Sequence, residues 1–135
     1  MEDIYSELDQ TKLPQRIEKP WGHELIFART PMYAGKLIFI RKGHQLSLQY
    51  HQQKDESIYV HQGKALLEVY PEQSRKADEP DEKPTQSIVQ LGDCFRFKPM
   101  TRHCLKALED TTLFEVSTPE LEDVVRLEDN YGRID

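Results

Sequence analysis

Short runs of β-branched, aromatic and leucine residues follow one another at close spacing, and they constrain the fold of this chain more than any other feature. They fall at Leu37–Ile40, Leu46–Tyr50, Ser57–His61, Ala65–Tyr70, Ser87–Val89, Cys94–Phe97, Cys104–Leu108 and Leu113–Ser117. The first runs into Arg41-Lys42-Gly43, a turn signal. Many short strands broken by turns predict an all-β sandwich or barrel. No window keeps a helical period beyond a few turns, and Pro14, Pro20, Pro31, Pro71, Pro80, Pro84, Pro99 and Pro119 punctuate the chain, so helix is at most a minor element. With 135 residues, one hydrophobic core is expected and two would be starved.

Charge narrows the partners. The net charge is −6, and the basic residues are scattered among acidic ones with no stripe for a polyanion, so DNA and RNA are not expected partners. Met1 to Gln10 is acidic and lacks the basic start and apolar run of a secretory signal, and no apolar stretch is long enough to span a bilayer. A cytoplasmic location without membrane contact is therefore expected. Cys94 and Cys104 match neither a zinc-knuckle nor a redox spacing and read as packed thiols. Gln73 to Gln86 is polar, charged and carries two prolines, the composition of a solvated connection. The stretch from Glu120 to Asp135 mixes acids with Leu121, Val124, Val125, Leu127 and Tyr131 and is amphipathic enough to pack back on the core.

The polar residues with the most informative spacing begin at Gly43. Five residues separate it from Gln49, one separates Gln49 from His51, four lead to Glu56, and six more to Gly63. Residues two apart in a strand share a face, so Gln49 and His51 can both point inward, and Glu56 can enter from the next strand after the polar turn Gln52-Gln53-Lys54-Asp55. Further on, Gly92, Pro99 and His103 follow in order. The two groups resemble the paired motifs of the cupin superfamily, which implies a single jelly-roll β-barrel with one divalent metal ion on Gln49, His51, Glu56 and His103. The chain departs from the usual pattern at Gln49, where a histidine is common, and at Met100, where a glycine often follows the proline. A glutamine binds a metal through its carbonyl oxygen, and two imidazole nitrogens with two oxygens suit zinc, manganese, iron, cobalt or nickel without choosing among them; zinc is the ion expected first.

A closer resemblance runs from residue 19 to residue 133. Leu46-Ser47-Leu48-Gln49-Tyr50-His51, Lys19-Pro20-Trp21-Gly22 and Val125-Arg126-Leu127-Glu128-Asp129-Asn130-Tyr131-Gly132-Arg133 are similar to segments of cupin-type mannose-6-phosphate isomerases. The nearest form is the type II isomerase domain at the C-terminus of bifunctional mannose-1-phosphate guanylyltransferases. The resemblance implies a short N-terminal extension (1–18), a barrel (19–118) and a C-terminal tail (119–135). It also implies aldose–ketose isomerisation of a sugar phosphate through an enediol. Where those enzymes carry His-Trp after the metal glutamate, this chain has Ser57-Ile58.

Such an isomerase needs a Lewis acid at the carbonyl, a base, and a cation for the phosphate. Lys36, Arg41, Arg96 and Arg133 are the candidates for the phosphate, with Lys36 first, because its distance from the turn glycine matches the isomerase-like sequences, and Arg133 second. The base is open among His44, Glu115 and a hydroxide held on the metal. Trp21 reads as a barrel plug or interface residue; His23, His44 and His61 read as isolated and solvated. Two other functions fit the same motifs: a cupin that binds a sugar without turning it over, and an iron-dependent dioxygenase. A homodimer is expected, since an open sheet edge is a liability unless covered.

Overall fold

The computed structural model describes residues 12–71 and 83–134. Met1 to Gln10 and most of the Gln73–Gln86 connection therefore lie outside the described residues. The strands are β1 (Gln15–Lys19), β2 (Gly22–Arg29), β3 (Ala34–Ile40), β4 (Leu48–Tyr50), β5 (Glu56–Gln62), β6 (Lys64–Val69), β7 (Thr85–Gln90), β8 (Cys94–Phe97), β9 (His103–Ala107), β10 (Thr111–Ser117) and β11 (Val125–Glu128). They form two antiparallel sheets, ordered β1-β2-β3-β10-β5-β8 and β11-β4-β9-β6-β7. No helix occurs among the described residues, and none is present that is long and apolar enough to cross a membrane. Every expected run is found within or overlapping a strand. β1 straddles residues 18 and 19, and β11 lies in the stretch after residue 119.

Alternation sorts the side chains into a core and an outer surface. In β5, Glu56, Ile58 and Val60 are buried while Ser57, Tyr59 and His61 are exposed. β10 buries Thr111, Leu113 and Glu115, and β3 buries Lys36, Ile38 and Ile40. The two-residue period of a strand places each set on one face. Between the sheets Ile38, Ile40, Val60, Leu67, Leu105 and Leu113 form one apolar cluster with Trp21 and Phe97.

Each of the three central strands of the larger sheet also changes character along its inward face. Ile40 and Ile38 give way to Lys36, Leu113 to Glu115, and Val60 and Ile58 to Glu56. The registers bring these changes together, because Glu115 lies opposite both Lys36 and Ile58, and Ser117 lies opposite Glu56. One end of the sandwich is thus dry and the other is charged.

Two glycines are dictated by close backbone approach. A Cβ on Gly22 would sit 1.9 Å from the carbonyl oxygen of Phe39. Gly63, at φ 95°, would bring one to 2.3 Å from the Asp110 carbonyl oxygen. The first approach seats Trp21, 3% exposed, in the core, and the second lets the chain cross in one residue from β5 of the larger sheet to β6 of the smaller one.

Candidate metal centre

His51 follows β4, Glu56 opens β5 and His103 opens β9, so all three stand at the charged end of the sandwich, and all three are buried. One donor atom from each lies within 4.8 Å of the others. Glu56 Oε1 is 3.2 Å from His51 Nε2 and 3.7 Å from His103 Nε2. Ligands about 2.1 Å from a tetrahedral centre are separated by roughly 3.4 Å, so the spacing matches a small divalent ion.

The hydrogen bonds fix which nitrogen faces the cavity. His51 Nδ1 donates to the backbone carbonyl of Asp123, and His103 Nδ1 donates to that of Thr101 at 2.8 Å. Each Nε2 therefore carries its lone pair inward. His51 Nε2 is buried with no hydrogen-bond partner and faces a carboxylate oxygen, an arrangement of two acceptors that only a cation or an extra proton relieves. Burial pushes the His103 imidazole down to about 4, against the pull of Glu56, which keeps it neutral and able to ligate. The Phe97 ring stacks on His103 with centroids 3.8 Å apart and planes within 11°.

Gln49 lines the same cavity and is paired with His103 across β4 and β9. Its Oε1 accepts a 2.7 Å hydrogen bond from Ser47 Oγ. A carbonyl oxygen can accept this bond and still offer a second lone pair to an ion.

Lys36 lines the cavity but is already engaged, with its Nζ 2.8 Å from Glu24 Oε2 and 3.7 Å from Glu115 Oε2. Arg133 also lines it, and its guanidinium grips Asp129 through two hydrogen bonds of 2.8 and 2.9 Å. Arg41 and Arg96 are exposed and outside the cavity; Arg41 reaches the Pro20 carbonyl and Arg96 pairs with Asp55. Of the two side chains considered as base, Glu115 lines the cavity, whereas His44 lies elsewhere, 2.7 Å from the Tyr131 hydroxyl. His23 stacks on Phe39 and His61 meets Phe114 edge to face, outside the site.

Lys54 escapes the sequence reading. It falls in a polar turn, yet it is 2% exposed, and its Nζ lies 3.0 Å from Glu56 Oε2 and 3.1 Å from Glu115 Oε2. Burial would raise the Glu56 carboxyl, but contact with Glu115, His51 and Lys54 reverses this and holds it ionised. Burial raises Glu115 instead, and the neighbouring Glu56 charge adds to the shift, so the pair keeps its proton on Glu115. Asp123 was equally hidden. Beyond its carbonyl bond to His51, its carboxylate accepts from the backbone N–H groups of Gln52, Gln53 and Lys54 at 3.1, 2.7 and 3.0 Å. One residue of the C-terminal stretch thereby organises the whole turn between two metal-ligand candidates.

Met100 supplies a check on this geometry. It adopts φ 71°, a left-handed conformation that a glycine enters without strain, while its N–H donates to the His51 carbonyl at 2.6 Å. Its side chain is 59% exposed and contributes little packing. Met100→Gly is expected to raise the unfolding free energy by about 1 kcal/mol, read as a higher midpoint in urea with an unchanged slope.

No protein-family model and no curated protein sequence matches this chain. Solved structures do. An RmlC-like cupin from Shewanella frigidimarina superposes with a TM-score of 0.65 at 14% identity, over 83% of this chain and 89% of that one. The fold is that of a cupin. KdgF from Halomonas sp. matches this cupin fold with a TM-score of 0.62 at 20% identity, over 78% of this chain and 86% of its own. The capsular polysaccharide assembling protein CapF of Staphylococcus aureus matches with a TM-score of 0.67 at 17% identity. That match covers 91% of this chain but 35% of CapF, so this chain spans about a third of the larger protein.

Proposed function

We propose that this cupin is a metal-dependent sugar-phosphate isomerase of the mannose-6-phosphate isomerase kind, with the metal held by Gln49, His51, Glu56 and His103. The observation that carries the reading is the pair of inward Nε2 lone pairs on His51 and His103 facing Glu56 Oε1 in a buried cavity. Zinc is the first choice of ion, ahead of manganese, iron, cobalt and nickel. When bound, the ion supplies Lewis-acid polarisation of a substrate carbonyl.

The chain's own residues support the remaining needs. Glu115, with its proton retained by burial, and the adjacent Lys54 ammonium form a proton-bearing pair beside the metal candidates, suited to hold or move a proton between neighbouring carbons. Lys36 orients Glu115 from the other side, and Arg133 stands among the cations of the cavity wall. The similarity to CapF, a protein of capsular polysaccharide assembly, is in keeping with a carbohydrate ligand. A cytoplasmic homodimer acting on a small sugar phosphate is the form this reading expects, and Phe27, Tyr59 and Val116 on the outer surface of the larger sheet offer apolar area for a second copy.

Metal-loaded protein is expected to interconvert mannose 6-phosphate and fructose 6-phosphate, followed by a coupled assay. No turnover of any hexose or pentose phosphate would reject the reading. A second reading, a cupin that binds a sugar without converting it, is favoured by one feature: the Lys54 ammonium lies against both Glu56 and Glu115, and Glu115 already holds a proton, which leaves no ionised carboxylate free to act as base. Thermal stabilisation by sugar phosphates with no product formed would select it.

A further inference from the structure

The cavity has an end that the metal candidates do not use. Arg126 on β11 lies opposite Gln49 on β4, and Gln49 lies opposite His103 on β9. All three line the cavity. Directly opposed residues on adjacent strands project to the same side, and strands are spaced about 4.8 Å apart. The row therefore carries a metal-ligand candidate at one end and a guanidinium about 10 Å away, measured backbone to backbone.

Arg126 differs from the other cavity cations in its partners. Lys36 is neutralised by Glu24 and Lys54 by Glu56, with the protonated Glu115 against both, and Arg133 is held by Asp129. Arg126 has no hydrogen bond or ion pair among the described residues, and its Nε is buried. Lys19, whose nearest carboxylate contact is a loose 3.9 Å to Glu24, stands in the same wall. A partly buried guanidinium without a counter-ion is costly unless something else supplies the negative charge. The enclosed space, about 100 Å³, is also small beside the roughly 300–1,000 Å³ usual for small-molecule sites. A ligand that reaches the metal candidates must therefore extend past them toward the mouth.

We propose that Arg126, with Lys19 and Arg133 beside it, is an oxyanion subsite that holds the phosphate or carboxylate of a small ligand whose other end reaches the His51–Glu56–His103 centre. The proposal deepens the isomerase reading and rests on it for the metal end alone. It moves the anion from Lys36, which is already paired, to the one cavity guanidinium that is not. Arginine's planar fork suits either anion through two parallel hydrogen bonds.

Calorimetric titration of the metal-loaded full chain tests it, with inorganic phosphate in one arm and succinate in the other. Binding of either probe is expected, weakened about tenfold or more in Arg126→Met and by less in Arg126→Lys, which keeps the charge but loses the fork, with zinc affinity the same in all three proteins. The arm with tighter binding identifies the anion as phosphate or carboxylate. Equal affinity of wild type and Arg126→Met for both probes, or no binding of either by wild type, would overturn the subsite. The two ideas fail separately. Sugar-phosphate turnover with an unaltered KM in Arg126→Met would remove the subsite and leave the isomerase, whereas Arg126-dependent phosphate binding without turnover would do the reverse.

Discussion

Lys54→Met is expected to cost the metal-free protein about 3–5 kcal/mol of unfolding free energy, the usual penalty for removing one partner of a buried charge cluster. The ammonium sits within 3.1 Å of two carboxylates that share the charged end of the core. Without it, Glu56 and Glu115 face one another with Lys36 as the remaining ammonium close by, 3.7 Å from Glu115. The pH dependence has a defined sign. The Glu115 carboxyl is already raised above its ordinary 4.5 by burial, so the folded state binds more protons than the unfolded one above that pH. Its contribution is complete below 4.5 and is lost as pH rises through the folded value. Deleting the ammonium raises that value further, so the loss in Lys54→Met should be larger at about pH 8.5 than at about pH 6. Urea titrations at both pH values measure it. Adding Glu56→Gln to Lys54→Met should recover most of the stability, since Glu56 is the carboxylate left ionised without its ammonium, and a double variant as unstable as the single one would show that lost packing, not charge, is the cause.

His103→Ala should reduce zinc affinity at least about 100-fold, since even residues that only support a metal ligand are commonly worth 10–100-fold. Competition with a chromophoric chelator gives the affinity, and elemental analysis of purified protein gives the occupancy. His61→Ala is the control, because that ring lies on the outer surface against Phe114. Removing His103 also deletes the ring stacked on Phe97, so the variant should melt at lower temperature even without metal. Full occupancy in His103→Ala would mean that the ion is held elsewhere.

Spacing made the His51, Glu56 and His103 cluster legible because each stands at a strand end, where a two-residue period and a short turn determine which way the side chain points. The same period gave the core, since Ile58 and Val60 alternate with exposed neighbours. β1 was not legible: it is an edge strand with mostly exposed residues and no apolar stripe. β2 was obscured by Glu24, a charge on a half-buried strand that makes sense only once Lys36 of β3 is beside it. Lys54 was unreadable for a deeper reason. Gln52-Gln53-Lys54-Asp55 has the composition of a solvated turn, and its burial depends on Asp123, nearly seventy residues away. Lys36 lines the cavity, but its partners Glu24 and Glu115 come from two other strands, and local sequence says nothing of them.

The clasp made by Asp123 has a consequence for the order of events in synthesis. β4, β5 and β9 all precede it in the chain, so the ribosome releases the ligand-bearing strands before the residue that orients His51 and orders the turn beyond it. A nascent chain can pair its strands yet still lack a formed pocket, so on the proposed reading loading of the ion would be deferred until the late segment has emerged and docked. Chains that stall short of that point would then take up no metal.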